Sequence, residues 1–195
     1  MTDQKAKSQT NYVTPEYISK PTSVQWVLPT GSVSISKGDV DGDGKDELVI
    51  ANGNRTNLGV LSYFKYSDIS PNWSESQASG LMADWQAQDS IPASSQGGTD
   101  CQLRYMDQFF AANLVSSEQA QVVAYNPREL TFSVLEWNNG QLQTLWSVTN
   151  SFPGWIIESD DQFFVGDFDG DGKDELVGFK PDDQIIGIIE WDGTQ

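Results

Sequence analysis

Asp167-Phe168-Asp169-Gly170-Asp171-Gly172-Lys173-Asp174-Glu175-Leu176-Val177 decides how the whole chain is read. The same eleven residues occur earlier as Asp39-Val40-Asp41-Gly42-Asp43-Gly44-Lys45-Asp46-Glu47-Leu48-Val49, with Val40 for Phe168 as the single change. Carboxylates at alternate positions set hard oxygen donors along a tight loop. The intervening glycines permit the left-handed backbone needed to fold around a cation. Oxygen-only donors at this density suit calcium rather than zinc or copper, which favour nitrogen and sulfur. A solvated acidic turn is the alternative, and two copies with glycines at the same offsets weigh against it.

An EF-hand needs a bidentate Glu at its twelfth loop residue and helices on both sides. Here the twelfth residues are Ile50 and Gly178, and neither supplies a carboxylate. Each loop instead carries its last acid at the ninth position, Glu47 or Glu175. Each then runs into a short apolar stretch of strand type, Leu48-Val49-Ile50-Ala51 or Leu176-Val177-Gly178-Phe179. Each loop therefore joins two strands.

Asp-x-Asp-x-Asp-Gly-x-x-Glu-Leu feeding a strand resembles the FG-GAP/VCBS repeat, the calcium-loop repeat of integrin-type β-propellers. The resemblance implies ligation by the side chains of the first, third, fifth and ninth residues and the carbonyl of the seventh. Those are Asp39, Asp41, Asp43, Glu47 and Lys45, then Asp167, Asp169, Asp171, Glu175 and Lys173. Glu stands at the ninth position where the family more often has Asp. The implied complement is two Ca2+ sites per chain.

Around the loops, 195 residues suffice for a sizeable core. A hydrophobic content of 37% with seven Trp and nine Phe argues against disorder. A net charge of −17 argues against nucleic acid or an anionic membrane as the main partner. No apolar run approaches the roughly 18 residues needed to cross a bilayer, so membrane insertion is not expected. There is no histidine and one cysteine, Cys101, which excludes Ser-His-Asp and Cys-His catalysis, a disulfide within the chain and a cysteine zinc site.

Repeats extend beyond the loops. Asp107-Gln108-Phe109-Phe110 returns as Asp161-Gln162-Phe163-Phe164, an offset of 54 that also relates Glu136-Trp137 to Glu190-Trp191. The loops are offset by 128, which pairs Gly59-Val60-Leu61 with Gly187-Ile188-Ile189. These offsets define three repeats, at residues 31–92, 103–150 and 157–195, with Tyr63, Trp137 and Trp191 equivalent. In the middle repeat Asn113, Val115, Ser117, Gln119 and Gln121 stand at the ligand positions, so that loop is expected to hold no metal and to be tied by its own hydrogen bonds.

The fold expected is all-β: a β-propeller of about three four-stranded blades, with the acidic loops between strands one and two. The third repeat reads as strands 161–166, 175–179 and 184–191. Fourth strands read at 141–149 and 81–88, and residues 94–99 read as a surface loop. Residues 1–21 read as a flexible polar leader without a signal-peptide core, so export is by another route or a targeting segment lies outside this sequence. Residues 22–195 form the repeat domain, with 22–30, around Trp26, as a candidate closing strand for the third blade.

The resemblance implies recognition or adhesion at a secreted or cell-surface location, with a protein or glycan as ligand and calcium in a structural role. No enzyme activity is expected. The alternative is a catalytic or non-catalytic domain of a larger secreted hydrolase or toxin-like assembly, for which Asp160-Asp161 and Asp182-Asp183 are the loosest of candidates. Trp73 and Trp155 are candidates for stacking on sugars or, alternatively, for packing between blades. Three blades are too few to close a ring, so a homodimer closing six blades is a further expectation, with additional blades in a longer parent chain as the alternative.

Overall fold

The computed structural model describes residues 33–52, 57–65, 79–95, 99–104 and 107–191. The expected leader, the candidate closing strand and Trp73 lie outside them. By its contacts the chain divides into two units, residues 1–30 with 64–81 and residues 31–63 with 82–195. Of the first unit, only residues 64–65 and 79–81 are described, all in strands.

Every regular element among the described residues is a strand. The first repeat gives β1 (Val33–Gly38), β2 (Glu47–Asn52), β3 (Asn57–Lys65) and β4 (Ser79–Gln88), side by side in that order. A two-stranded hairpin comes next, β5 (Ser90–Ile91) with β6 (Cys101–Gln102). The middle repeat gives β7 (Gln108–Ser116), β8 (Gln119–Asn126), β9 (Thr131–Asn138) and β10 (Gln141–Thr149), again in sequential order. A second hairpin, β11 (Ser151–Phe152) with β12 (Trp155–Ile156), leads to a three-stranded sheet of β13 (Gln162–Gly166), β14 (Glu175–Lys180) and β15 (Ile185–Ile189). The pairings characterised residue by residue within these sheets are antiparallel.

Register shows that the sheets repeat one plan. Val49 pairs with Val60, Val123 with Val134, and Val177 with Ile188, at the sequence offsets of 54 and 128. Sequential order arises from the short connections, of which Asn139-Gly140 is the clearest. Both residues have positive φ, +53° and +82°, in the two-residue turn between β9 and β10, where left-handed backbone matches the strand twist.

Alternation of side chains gives the middle sheet two apolar faces, so it packs on both sides. On one, Phe109, Val122, Ala124 and Leu135 meet Val49, Leu58 and Val60 of the first sheet, with Ile91, Cys101 and Leu103 filling in from the β5–β6 region. On the other, Val123, Tyr125, Phe132 and Val134 meet Phe163 and Leu176 of the third sheet, with Phe152, Trp155 and Ile157 filling in. Phe163 is the centre of this second core, edge-on to Tyr125 at 4.8 Å and to Phe132 at 5.3 Å between ring centroids.

Trp155 is part of that core. Added Cβ atoms at Gly178 and Gly187 would lie 2.7 Å and 2.9 Å from its indole, so only glycine lets the third sheet approach this ring. Of the two roles open to Trp155, stacking on sugars or packing, its place in the structure is the packing one: the ring is buried.

Candidate metal centres

Each acidic loop is closed by a strand pair, Gly38 with Glu47 and Gly166 with Glu175. Between those ends the backbone coils around the first aspartate. Asp39 Oδ1 accepts from the Gly42 N–H at 2.9 Å, and its Oδ2 from the Gly44 N–H at 2.8 Å. Asp167 does the same with Gly170 at 2.6 Å and Gly172 at 3.1 Å. The third and fifth residues each accept from the N–H two positions on, Asp41 from Asp43 and Asp43 from Lys45, as Asp169 does from Asp171 and Asp171 from Lys173. Gly42, Gly44, Gly170 and Gly172 have φ between +80° and +90°, which a side chain strains to adopt.

The ninth residue reaches back. Glu47 Oε2 accepts from the Val40 N–H at 2.8 Å, and Glu175 Oε2 from the Phe168 N–H at 2.8 Å. Both glutamates are buried, whereas Asp43, Asp167, Asp169 and Asp171 are exposed. Carboxylate oxygens of Asp39, Asp41 and Asp43 lie within 4.8 Å of one another, as do those of Asp167, Asp169 and Glu175. Such crowding of oxygen donors alone fits a hard divalent cation such as calcium. Lys45 Nζ is 2.7 Å from Asp43 Oδ2, and this bond holds the Asp43 carboxyl below its usual range.

Burial pushes the Glu47 carboxyl up to about 7, with repulsion from Asp41 and Asp43 adding to the rise. Bonds from the Val40 and Asp41 N–H groups pull the other way and are outweighed. Without a cation, Glu47 binds more protons in the folded than in the unfolded chain between pH 4.5 and about 7. The contribution of this carboxyl to stability therefore falls as pH rises through that window. A cation held by Glu47 must displace the proton. Calcium held in the first loop through Glu47 would bind about tenfold more weakly at pH 6 than at about pH 8. Titrations at the two pH values check this, and equal affinities would contradict Glu47 as a ligand.

The middle repeat closes with the same pair, Ala112 with Gln121, but β7 runs on to Ser116 and pairs with Gln119. A short hairpin with a bulge replaces the acidic coil. Gln121 Oε1 accepts from the Val115 N–H at 3.0 Å, where Glu47 accepts from Asp41 at 3.3 Å. Gln119 Nε2 donates to the carbonyls of Val40 and Trp137, tying this hairpin to the first loop. On its other side, Asn113 N donates to Asp174 Oδ2 at 2.7 Å, and Asp174 N to Asn113 O at 2.9 Å.

A third acidic group, Glu158, Asp160 and Asp161, has no sequence signature of a metal loop. Lys180 Nζ sits 2.8 Å from Glu158 Oε2 and 3.1 Å from Asp161 Oδ1, over the Trp155 ring at 5.2 Å. Burial lowers the Lys180 pKa, and the bonds to Glu158 and Asp161 more than reverse it. Asp161 also accepts from Trp155 Nε1 at 2.8 Å and from the Glu158 N–H at 3.0 Å. A lysine ammonium thus fills the charge requirement here. Asp160 is exposed while Asp161 is buried, with carboxylate oxygens of both within 4.8 Å of each other and of Glu158; Asp182 and Asp183 lie exposed in a turn. Cys101 is buried, and burial pushes its thiol up to about 11, as suits an inert side chain.

Residues 32–64 match the FG-GAP repeat. The FG-GAP match contains the whole first loop, Asp39–Glu47, with the strands on either side. The loop Asp167–Glu175 lies outside the matched residues and repeats the hydrogen bonds of the first one. No curated protein and no solved structure matches the chain.

Proposed function

We propose that the chain is a β-propeller-type recognition module, its three sheets acting as blades and two calcium ions holding the loops between first and second strands. The observation that carries this reading is the recurrence of one loop geometry, down to the same donor and acceptor atoms, inside and outside the FG-GAP match. Asp39, Asp41, Asp43, Glu47 and the Lys45 carbonyl would hold one ion. Asp167, Asp169, Asp171, Glu175 and the Lys173 carbonyl would hold the other. Each ion would offset the mutual repulsion of carboxylates that crowd together in folding.

The role is binding rather than turnover, with a protein or glycan as ligand and an extracellular or cell-surface setting. Function on such a fold sits in loops carried by rigid blades. The carboxylates best placed for other chemistry are already committed, Asp161 to Trp155, Glu158 and Lys180.

Asp169→Ala removes an oxygen donor from one loop only. Calcium titration of this variant is expected to lose the third-repeat site, with affinity weakened about 100-fold or more, and to leave the first-repeat site unchanged. Loss of both sites, or of neither, would contradict the assignment. Capture of a glycan or protein without turnover supports recognition, and hydrolysis of glycosides or phosphoesters by the chain would overturn it.

A further inference from the structure

The hairpin between β7 and β8 stands between the two acidic loops and bonds both of them, each through a different arm. On one side the Ala120 N–H donates to the Asp39 carbonyl at 2.7 Å, and Gln119 Nε2 donates to the Val40 carbonyl at 3.0 Å. The approach is close, since a Cβ added at Gly38 would lie 2.9 Å from Ala111 and 3.0 Å from Ala120. On the other side the Asn113 N–H donates to Asp174 Oδ2 at 2.7 Å, and the Asp174 N–H to the Asn113 carbonyl at 2.9 Å. There a Cβ added at Gly172 would lie 3.4 Å from that of Ser117. Within the hairpin, Gln121 ties the Val115 N–H to the Gln119 carbonyl, so the tip has a framework of its own. What the loops supply is the anchorage of each arm.

The anchoring atoms belong to the coils themselves. Asp39 and Val40 are the first two residues of one coil, and Val40 donates its own N–H to Glu47. Asp174 stands next to Glu175, the last acid of the other coil. These atoms keep their places only while each coil is wound. Carboxylates crowded within 4.8 Å repel one another when no cation offsets them, so an empty loop loosens the atoms its arm bonds. We propose that the middle hairpin, which lacks the acidic ligands, is a calcium-responsive element: the first loop fixes its Gln119–Ala120 arm, and the third-repeat loop fixes its Asn113 arm. The face where the three turns stand side by side is then locked only when both loops are loaded. Val115, Ser117 and Glu118, exposed at the hairpin tip, are presented in a fixed place by that lock. The inference rests on the calcium reading of the two loops and adds a conformational output to it.

Amide hydrogen exchange of the full chain in saturating calcium tests the proposal, with one loop disabled at a time. In Asp41→Ala the Ala120 amide is expected to exchange about tenfold faster than in the unaltered chain, and the Asn113 amide at its original rate. In Asp169→Ala the pattern reverses, Asn113 faster and Ala120 unchanged. Val123, buried in the interior of β8, reports opening of the whole sheet, and both arms are read against it. Linkage requires the converse effect. Gln119→Met keeps the length of the side chain and loses its donors, and should weaken calcium at the first loop about fivefold while sparing the other site. The crossed pattern supports the inference. Acceleration of both arms in both variants, or of neither, overturns it. Calcium titration of the unaltered chain keeps the two readings apart. Two bound ions with indifferent arms defeat the hairpin inference alone, and a chain that binds none defeats the calcium reading and the inference with it.

Discussion

Chelation of calcium is expected to lower the thermal midpoint of the chain by roughly 10–20 °C. Ions that bind only the folded loops stabilise by the logarithm of their excess over Kd, about 2.7 kcal/mol per site at 100 times Kd. Two independent sites give about 5 kcal/mol, a large share of the stability of an ordinary domain. The donors exist in this arrangement only once Gly38 pairs with Glu47 and Gly166 with Glu175. Scanning calorimetry with calcium and then with EDTA measures the shift, and an equal midpoint in both would contradict a structural role for the ion.

Trp155→Ala is expected to cost about 3–5 kcal/mol, the usual toll for deleting a buried indole. The loss has three physical parts. The ring fills the space above Gly178 and Gly187, its Nε1 satisfies the buried Asp161, and its face carries Lys180. Removing it opens a cavity and leaves a carboxylate one donor short. Denaturant unfolding checks the value. A change below about 1 kcal/mol, coupled to lost glycan binding, would return Trp155 to the role of a ligand platform.

The acidic loops are legible in the sequence because their chemistry is local. Glycines and carboxylates at fixed offsets dictate the coil around Asp39 and Asp167 without help from the rest of the chain. The repeats are legible for a related reason, since pairs such as Val123 with Val134 keep one register in every sheet. Features that depend on distant partners are not legible. Lys180 stands where the middle repeat has Asn126, and in both places the residue bonds the aspartate that opens the repeat, Asp161 or Asp107. Only the fold shows that a lysine at this position neutralises Glu158 and Asp161. The two-residue strands of the hairpins are equally hidden, being too short to show any alternation. Their shared Ser-Ile-Pro and Ser-Phe-Pro stretches, at 90–92 and 151–153, are the available signal. Trp155 reads ambiguously between two roles because the glycines that admit it, Gly178 and Gly187, lie on other strands.

The central claim is that one acidic loop plan occurs twice, each copy holding calcium, and that a metal-free hairpin replaces it in the middle repeat. Native mass spectrometry of the chain, desalted from a calcium buffer, counts the ions directly. The account predicts two per chain, both removed by EDTA. A count of three would place an ion in the Gln121 hairpin, and a count of none would reduce the acidic loops to solvated turns; either contradicts the account.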